Sequence, residues 1–489
     1  MSLLGIIPSM KRIYFCILVA LATGPGAAGP GWAVDNNLPD LGEASQSVFS
    51  PQTERKVGEA IMRDIRADPA FLDDPEVTGY LNDLGYRLAA ASPNNRQDFA
   101  FFAVRDSTLN AFALPGGYIG VHSGLILASQ SESELAGVLA HEIAHVTQRH
   151  IARLVAQDSR NSIVSIAALA VAILAARANS QAGGAAGVAV QAGLIQSALD
   201  FTRENEREAD RVGFQILSES GLDPRGMASF FERLAKFNRL YDNNAPVYLR
   251  SHPLTTDRLA DIENRLAGAP YRQIPDSLDF QLVRAKLRAQ AGRAEEALVW
   301  FDTGLKEQKF NSEAAQRYGL TQVLVRAKQW LRAERELAQL KKIAPAHAMI
   351  ESLAAALKRA QGQDQAALTI YRAGLKLFPL QRALIYGYAD TLLATRQYTE
   401  AVNFINEELK HAADDYHLYE FQARAYAGQK KEFLSHRALA EAYAQRGNLN
   451  AAIEQLQIAL KTREGDFYQL SSAEARLKQL KALDAEARR

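Results

Sequence analysis

A small residue recurs along the C-terminal half of this chain at nearly constant spacing. Ala297, Ala333, Ala367 and Ala401 lie 36, 34 and 34 residues apart, and each is followed four residues later by Phe301, Leu337, Tyr371 or Ile405. Residues four apart share one face of a helix, so each pair marks a helix with a small residue beside a large one. Gly292 and Gly362 stand five residues before two of these alanines, and Pro345 and Pro379 stand twelve after two of them. The pattern returns at Gly447, Ala452, Leu456 and Ala459, 51 residues after Ala401. A small residue every 34 lets paired helices pack closely, and such pairs must stack because one pair cannot bury its own apolar face.

That period matches the tetratricopeptide repeat, so residues 275–485 are expected to form an α-helical solenoid of this kind. The chain before it follows other rules. Helical periodicity covers 52–91, then gives way at 98–104, 110–113 and 118–122 to short runs rich in aromatic or β-branched residues. Pro115-Gly116-Gly117 supplies the turn between the last two runs. Ser131-Glu132-Ser133-Glu134 is a capping box that opens a helix expected to run to about Gln157. A second polar helix is expected over 200–218, stopping at Gly221. Between the two helices lies an insert of Ala, Gly, Val, Ile and Leu that opens at Ile163 and closes at Ala198. Its apolar stretch is too short to span a bilayer, which leaves a buried hairpin, a lid, or a peripheral contact with a membrane or lipid-facing partner.

The first of those helices carries Ala140-His141-Glu142-Ile143-Ala144-His145. Four residues apart on one helical face, His141 and His145 can aim two imidazole nitrogens at one metal ion. Glu142 then lies beside that ion as the general base of a zinc peptidase. A catalytic zinc needs a third protein ligand. The metzincin histidine is absent, because Thr147, Gln148, Arg149 and His150 follow with the wrong spacing. A carboxylate from the second helix is the better source, and there Glu204, Glu206 and Glu208 are nearly tied by spacing alone. Glu206 and Asp210 share one helical face. His122, His150, His347, His411, His417 and His436 read as surface or packing residues.

Net charge is +1 and 48% of residues are hydrophobic, so nothing in the charge balance points to nucleic acid. Lys11 and Arg12, a ten-residue apolar core over 13–22 and small residues before Ala33 read as a secretory signal, residues 1–33, followed by a polar segment over 34–50. The one cysteine, Cys16, falls inside that signal, which excludes disulfides and thiolate ligands from the remainder.

Four motifs then occur in order: Asn110-Ala111-Phe112-Ala113-Leu114-Pro115-Gly116-Gly117, the HEIAH segment, Glu206 with Ala209-Asp210, and Ser251-His252-Pro253 with Arg258. In them the chain resembles the zinc metallopeptidases that include the HtpX-type and CAAX-prenyl proteases. It is most similar to periplasmic members that join such a domain to tetratricopeptide repeats and serve outer-membrane β-barrel assembly. The resemblance implies a mainly α, α+β fold: a zincin-like metallopeptidase domain with a small β-sheet over 51–272, then the solenoid. It implies one zinc per chain, Glu206 as third ligand and Asp210 behind a ligand histidine. An edge strand of Asn110, Ala111, Phe112, Ala113 and Leu114 would hold an extended substrate by backbone pairing. Arg258 would bind a peptide carbonyl or the oxyanion, and His252 would either donate to that oxyanion or lock the zinc as a fourth ligand. The expected function is a periplasmic zinc endopeptidase that degrades unfolded or misassembled proteins and engages the outer-membrane assembly machinery through its repeats. The alternative is a chaperone or assembly adaptor with a mostly latent peptidase.

Overall fold

The computed structural model describes residues 49–93, 97–157, 202–240, 247–268, 273–462 and 464–487. The expected signal, most of the polar segment after it and the insert over 163–198 lie outside the described residues.

Helix α1 (Pro51–Arg66) is capped by Ser50 and α2 (Pro75–Ala90) by Asp74, each with proline in the first turn, where the missing N–H costs nothing. Three strands follow: β1 (Ala100–Val104), β2 (Ala111–Leu114) and β3 (Tyr118–His122), in the order β1-β3-β2. β3 pairs in parallel with β1 and antiparallel with β2, so β2 is an edge strand. The outer edge of β1 is closed by Asn82, whose side chain both accepts from Phe101 N and donates to Phe101 O. Gly116 and Gly117 make the turn between β2 and β3 with φ of 80° and 83°. A Cβ at Gly117 would stand 2.0 Å from the Asp98 carbonyl oxygen, so only glycine fits.

Next come α3 (Ser123–Ala128), α4 (Glu132–Thr147), α5 (His150–Gln157), α6 (Arg203–Glu219), α7 (Arg225–Leu240), α8 (Val247–Ser251) and α9 (Thr256–Ala267). Every residue of α4 except Val146 is buried, as a helix surrounded by α2, α6, α7 and β2 must be. Gly213 of α6 lets the two helices nearly touch: a Cβ there would lie 3.0 Å from His141 N. The helix expected to reach Gln157 stops at Thr147. Gln148 caps it, Arg149 takes φ of 52°, and the chain restarts as α5 at His150.

The solenoid opens with α10 (Leu278–Gln290) and ends with the helix Phe467–Ala487. Six of its short turns hold a residue in the left-handed region at the same place in the repeat: Gly292, Lys328, Gly362, Arg396, Lys430 and Gly447. Each stands five residues before a position of the alanine series, including Ser435, where the hydroxyl donates to Ala423 O. The 51-residue jump after Ala401 is therefore one repeat of 34 with serine in place of alanine, plus the 17 residues of one extra helical step.

The packing does not pause at the expected boundary near 272–275. The described residues on both sides of it belong to one compact unit. One apolar core runs from Leu72 through the β-sheet and α4 to Leu357 of the repeats. Phe280 of α10 packs on Tyr80 of α2, and the buried Lys286 ammonium lies 2.6 Å from both Asp74 and Glu76. A cavity of about 1080 Å³ lies among α1, α2 and the late repeats, with Arg55, Arg63, Asn82, Tyr386, Tyr416 and Arg446 in its walls.

Candidate metal centre

Helix α4 places His141 and His145 one turn apart, their Nε2 atoms separated by 3.0 Å. Glu206, from the face of α6 that Gly213 presses against α4, puts its carboxylate oxygens 3.5 Å from each of those nitrogens. His252, just beyond α8, brings Nδ1 to 2.8 Å from Glu206 and 3.4 Å from His141 Nε2. One ligand atom from each of these four residues falls within 4.8 Å of all the others, the one such group among the described residues. Of the three glutamates nearly tied by spacing, Glu206 alone reaches the group; Glu204 is exposed and Glu208 turns to Arg153.

The arrangement fits a cation. Two imidazole nitrogens facing each other across 3.0 Å need a proton or a cation between them, and a carboxylate converges on the same point. The Glu142 carboxylate points into this space fully buried, and neither oxygen has a hydrogen-bond donor at good geometry. His252 Nε2 lies 3.6 Å from its Oε1. A water held at the centre would supply the missing donor.

Electrostatics separates the roles further. Burial pushes the Glu142 carboxyl up against the opposing pull of His252 and His141. Burial opposes a charge on His141 too, but the hydrogen bonds its ring donates to Asp210 and Glu206 outweigh it and lift its pKa to about 9. His145, buried and beside that positive ring, is held well below the usual histidine range. Glu206 stays ionised despite burial because His252 and His141 face it.

Asp210 lies behind this four-residue group, 3.0 Å from His141 Nδ1. Arg258 departs from the expectation that it faces the substrate. It is 3% exposed, and all three of its nitrogens are engaged: Nε and Nη2 on Asp210, Nη1 on Pro253 O and Glu206. Asn110 and β2 are buried on the edge beside α4, and the backbone N–H of Tyr248 in α8 donates to Leu109 O at 3.2 Å. The same short element thus carries His252 to the ligands and closes the start of the edge strand.

Two residues escaped sequence reasoning. His150, read as a surface or packing residue, is buried with Nδ1 2.9 Å from His145 Nδ1. Tyr248 lies with its ring 4.7 Å from the His252 ring, its hydroxyl buried and unpartnered. His122 is buried and bonded to Thr108, a packing residue as read. The histidine five residues after the end of HEIAH was the available signal for His150, but only in a helix that breaks.

Two helical histidines, a carboxylate from a second helix and a buried glutamate beside them define an HExxH-type metallopeptidase. Residues 75–266 match the profile of Peptidase family M48, and the chain belongs to that family as a metalloendopeptidase. It is 37% identical to a putative beta-barrel assembly-enhancing protease of Vibrio cholerae over 447 residues, 91% of each chain. It is 33% identical to the beta-barrel assembly-enhancing protease of Escherichia coli K12 over 477 residues, 97% of each chain. The mitochondrial metalloendopeptidase OMA1 of Schizosaccharomyces pombe shares 30% identity over 196 residues, 40% of this chain and 55% of that one. Among solved structures, the tetratricopeptide protein YrrB aligns with 37% of this chain and 92% of its own at 15% identity and a TM-score of 0.28.

Proposed function

We propose that this chain is a periplasmic zinc endopeptidase that removes misassembled outer-membrane proteins, its repeats engaging clients and the β-barrel assembly machinery. The observation that carries the reading is the convergence of His141, His145 and Glu206 beside the buried carboxylate of Glu142. Imidazole nitrogens with a carboxylate and no thiolate suit zinc. Bound there, the ion would polarise the scissile carbonyl and acidify water.

Glu142 takes the proton from the attacking water and returns it to the leaving amine, a task that its raised pKa favours. Asp210 fixes His141 through Nδ1, and Arg258 holds Asp210 and Glu206 in place. The edge strand from Asn110 to Leu114 pairs with the substrate backbone, which needs no particular side chain. His252 acts as a lock. It lies within ligand distance of the same centre, and α8 also covers Leu109, so one movement would free both the fourth position and the strand edge. The cavity between α1 and the late repeats gives a client a surface made of both halves.

Capture by Glu142→Gln tests the reading. Full-length Glu142→Gln in a periplasmic extract should retain intact outer-membrane proteins that the unaltered chain degrades. If the variant still cleaves them, or if neither form acts on any outer-membrane protein, the reading is wrong.

A further inference from the structure

We infer that His150 is a positioning residue for the metal centre: with Glu208 and Arg153 it holds His145 in the tautomer whose Nε2 can bind a metal. The inference rests on the assignment of His145 as a ligand.

The backbone is built for this contact. In an unbroken helix a residue five places on is rotated by about 140° and faces elsewhere. Here the chain breaks after Thr147, and Arg149 adopts φ of 52°, a conformation that disfavours a side-chain-bearing residue. The Arg149 side chain pins the turn from outside, donating from Nη2 to Phe49 O at 2.7 Å and meeting Glu54 at 3.3 Å. The break swings His150 back, so that its Nδ1 stands 2.9 Å from His145 Nδ1. On its other side His150 Nε2 lies 3.2 Å from Glu208 Oε2, to which Arg153 Nη2 donates at 2.6 Å.

Proton counting fixes the direction. A neutral imidazole has one donor and one acceptor nitrogen. If His150 donated from Nδ1, its Nε2 would present a lone pair to the Glu208 carboxylate, and His145 would carry its own proton on Nε2, where a metal must bind. If His150 instead donates from Nε2 to Glu208, its Nδ1 accepts from His145 Nδ1–H, and His145 Nε2 is left bare toward His141 and Glu206. Glu208 selects the second arrangement. Helix α6 therefore serves both ligand histidines: Asp210 meets His141 directly, and Glu208 reaches His145 through His150.

The test is metal affinity, by chelator competition on the full-length chain, for His145→Ala, His150→Phe, His150→Gln, Glu208→Ala and the double variant His150→Phe/Glu208→Ala. His145→Ala should lose the metal; retention there would remove the ligand assignment and this inference with it. His150→Phe keeps the bulk without an acceptor and should bind about 10- to 100-fold more weakly. His150→Gln, whose amide oxygen can accept from His145, should recover part of that loss, and Glu208→Ala should weaken binding in the same direction. Because Glu208 acts through His150, the double variant should be no worse than His150→Phe. If His145→Ala loses metal while His150→Phe and Glu208→Ala bind as the unaltered chain does, His150 is packing alone and the inference fails. Should His150→Phe not fold, Glu208→Ala, at a partly exposed position, decides between the same two results.

Discussion

Arg258 grips Asp210 at two points, Nε to Oδ2 at 2.6 Å and Nη2 to Oδ1 at 2.7 Å, with both side chains buried. The fork turns an arginine that sequence reasoning aimed at the substrate into the clamp that holds two acids beside His141. Removing one partner strands the other charge in the interior, so Asp210→Ala should cost about 3–5 kcal/mol in chemical denaturation. Arg258→Lys should also destabilise the chain, because a single ammonium cannot make the fork. Unchanged unfolding midpoints for both variants would show the pair to be energetically idle.

His252→Ala separates a lock from an oxyanion donor. As a lock, its loss leaves zinc in place and raises proteolysis, including self-cleavage, which Glu142→Gln in the same chain abolishes. As a donor, its loss lowers turnover by about 10²- to 10³-fold on every substrate. Metal content and digestion of a loosely folded protein distinguish the two, and the lock predicts the first pattern.

Lys286 couples the repeats to the peptidase by holding Asp74 and Glu76 together, each at 2.6 Å. Lys286→Ala leaves two buried or half-buried acids facing each other and should cost about 3–5 kcal/mol. A chain ending at Ile274 loses both Lys286 and Phe280 and should not hold a cooperative fold. One ending at Gln361 keeps the shared core through Leu357 and should unfold in a single transition. Thermal unfolding of the two truncations checks this; a stable piece ending at Ile274 would contradict it.

His122 should make stability fall in mild acid. Burial outweighs the nearby Asp106 carboxylate and depresses its pKa to about 4. The unfolded chain takes up this proton first, near pH 6.5, so the contribution is complete above that pH and is lost as pH falls from 6.5 toward 4. It amounts to roughly 3 kcal/mol over that window. His122→Asn should flatten the dependence by that amount in denaturation at pH 7 and pH 4.5. Parallel curves for the two chains would remove His122 as the cause.

What could be read from the sequence was local or periodic. His141 and His145 needed one helix, the sheet announced itself in aromatic runs around Pro115-Gly116-Gly117, and the solenoid in its alanines. What could not be read depended on how elements meet. The choice of Glu206 over Glu204 and Glu208 is set by the rotation of α6 against α4, fixed where Gly213 touches the His141 backbone. The break that delivers His150 contains neither glycine nor proline, and Arg149 bears the left-handed turn. Lys286 looks in sequence like one more solvated helix cation; only the approach of α2 buries it. Likewise Lys328, Arg396 and Lys430 fill turns where glycine would have marked the repeat.

The central claim is that one metal, held by His141, His145 and Glu206, works with Glu142 to hydrolyse peptides. Metal content measured on the same samples as peptide hydrolysis tests it most directly, for the unaltered chain, Glu142→Gln and Glu206→Ala. The account predicts one zinc per chain and activity in the first, one zinc and no hydrolysis in the second, and loss of both in the third. Full zinc occupancy in Glu206→Ala, or hydrolysis surviving in Glu142→Gln, would contradict it.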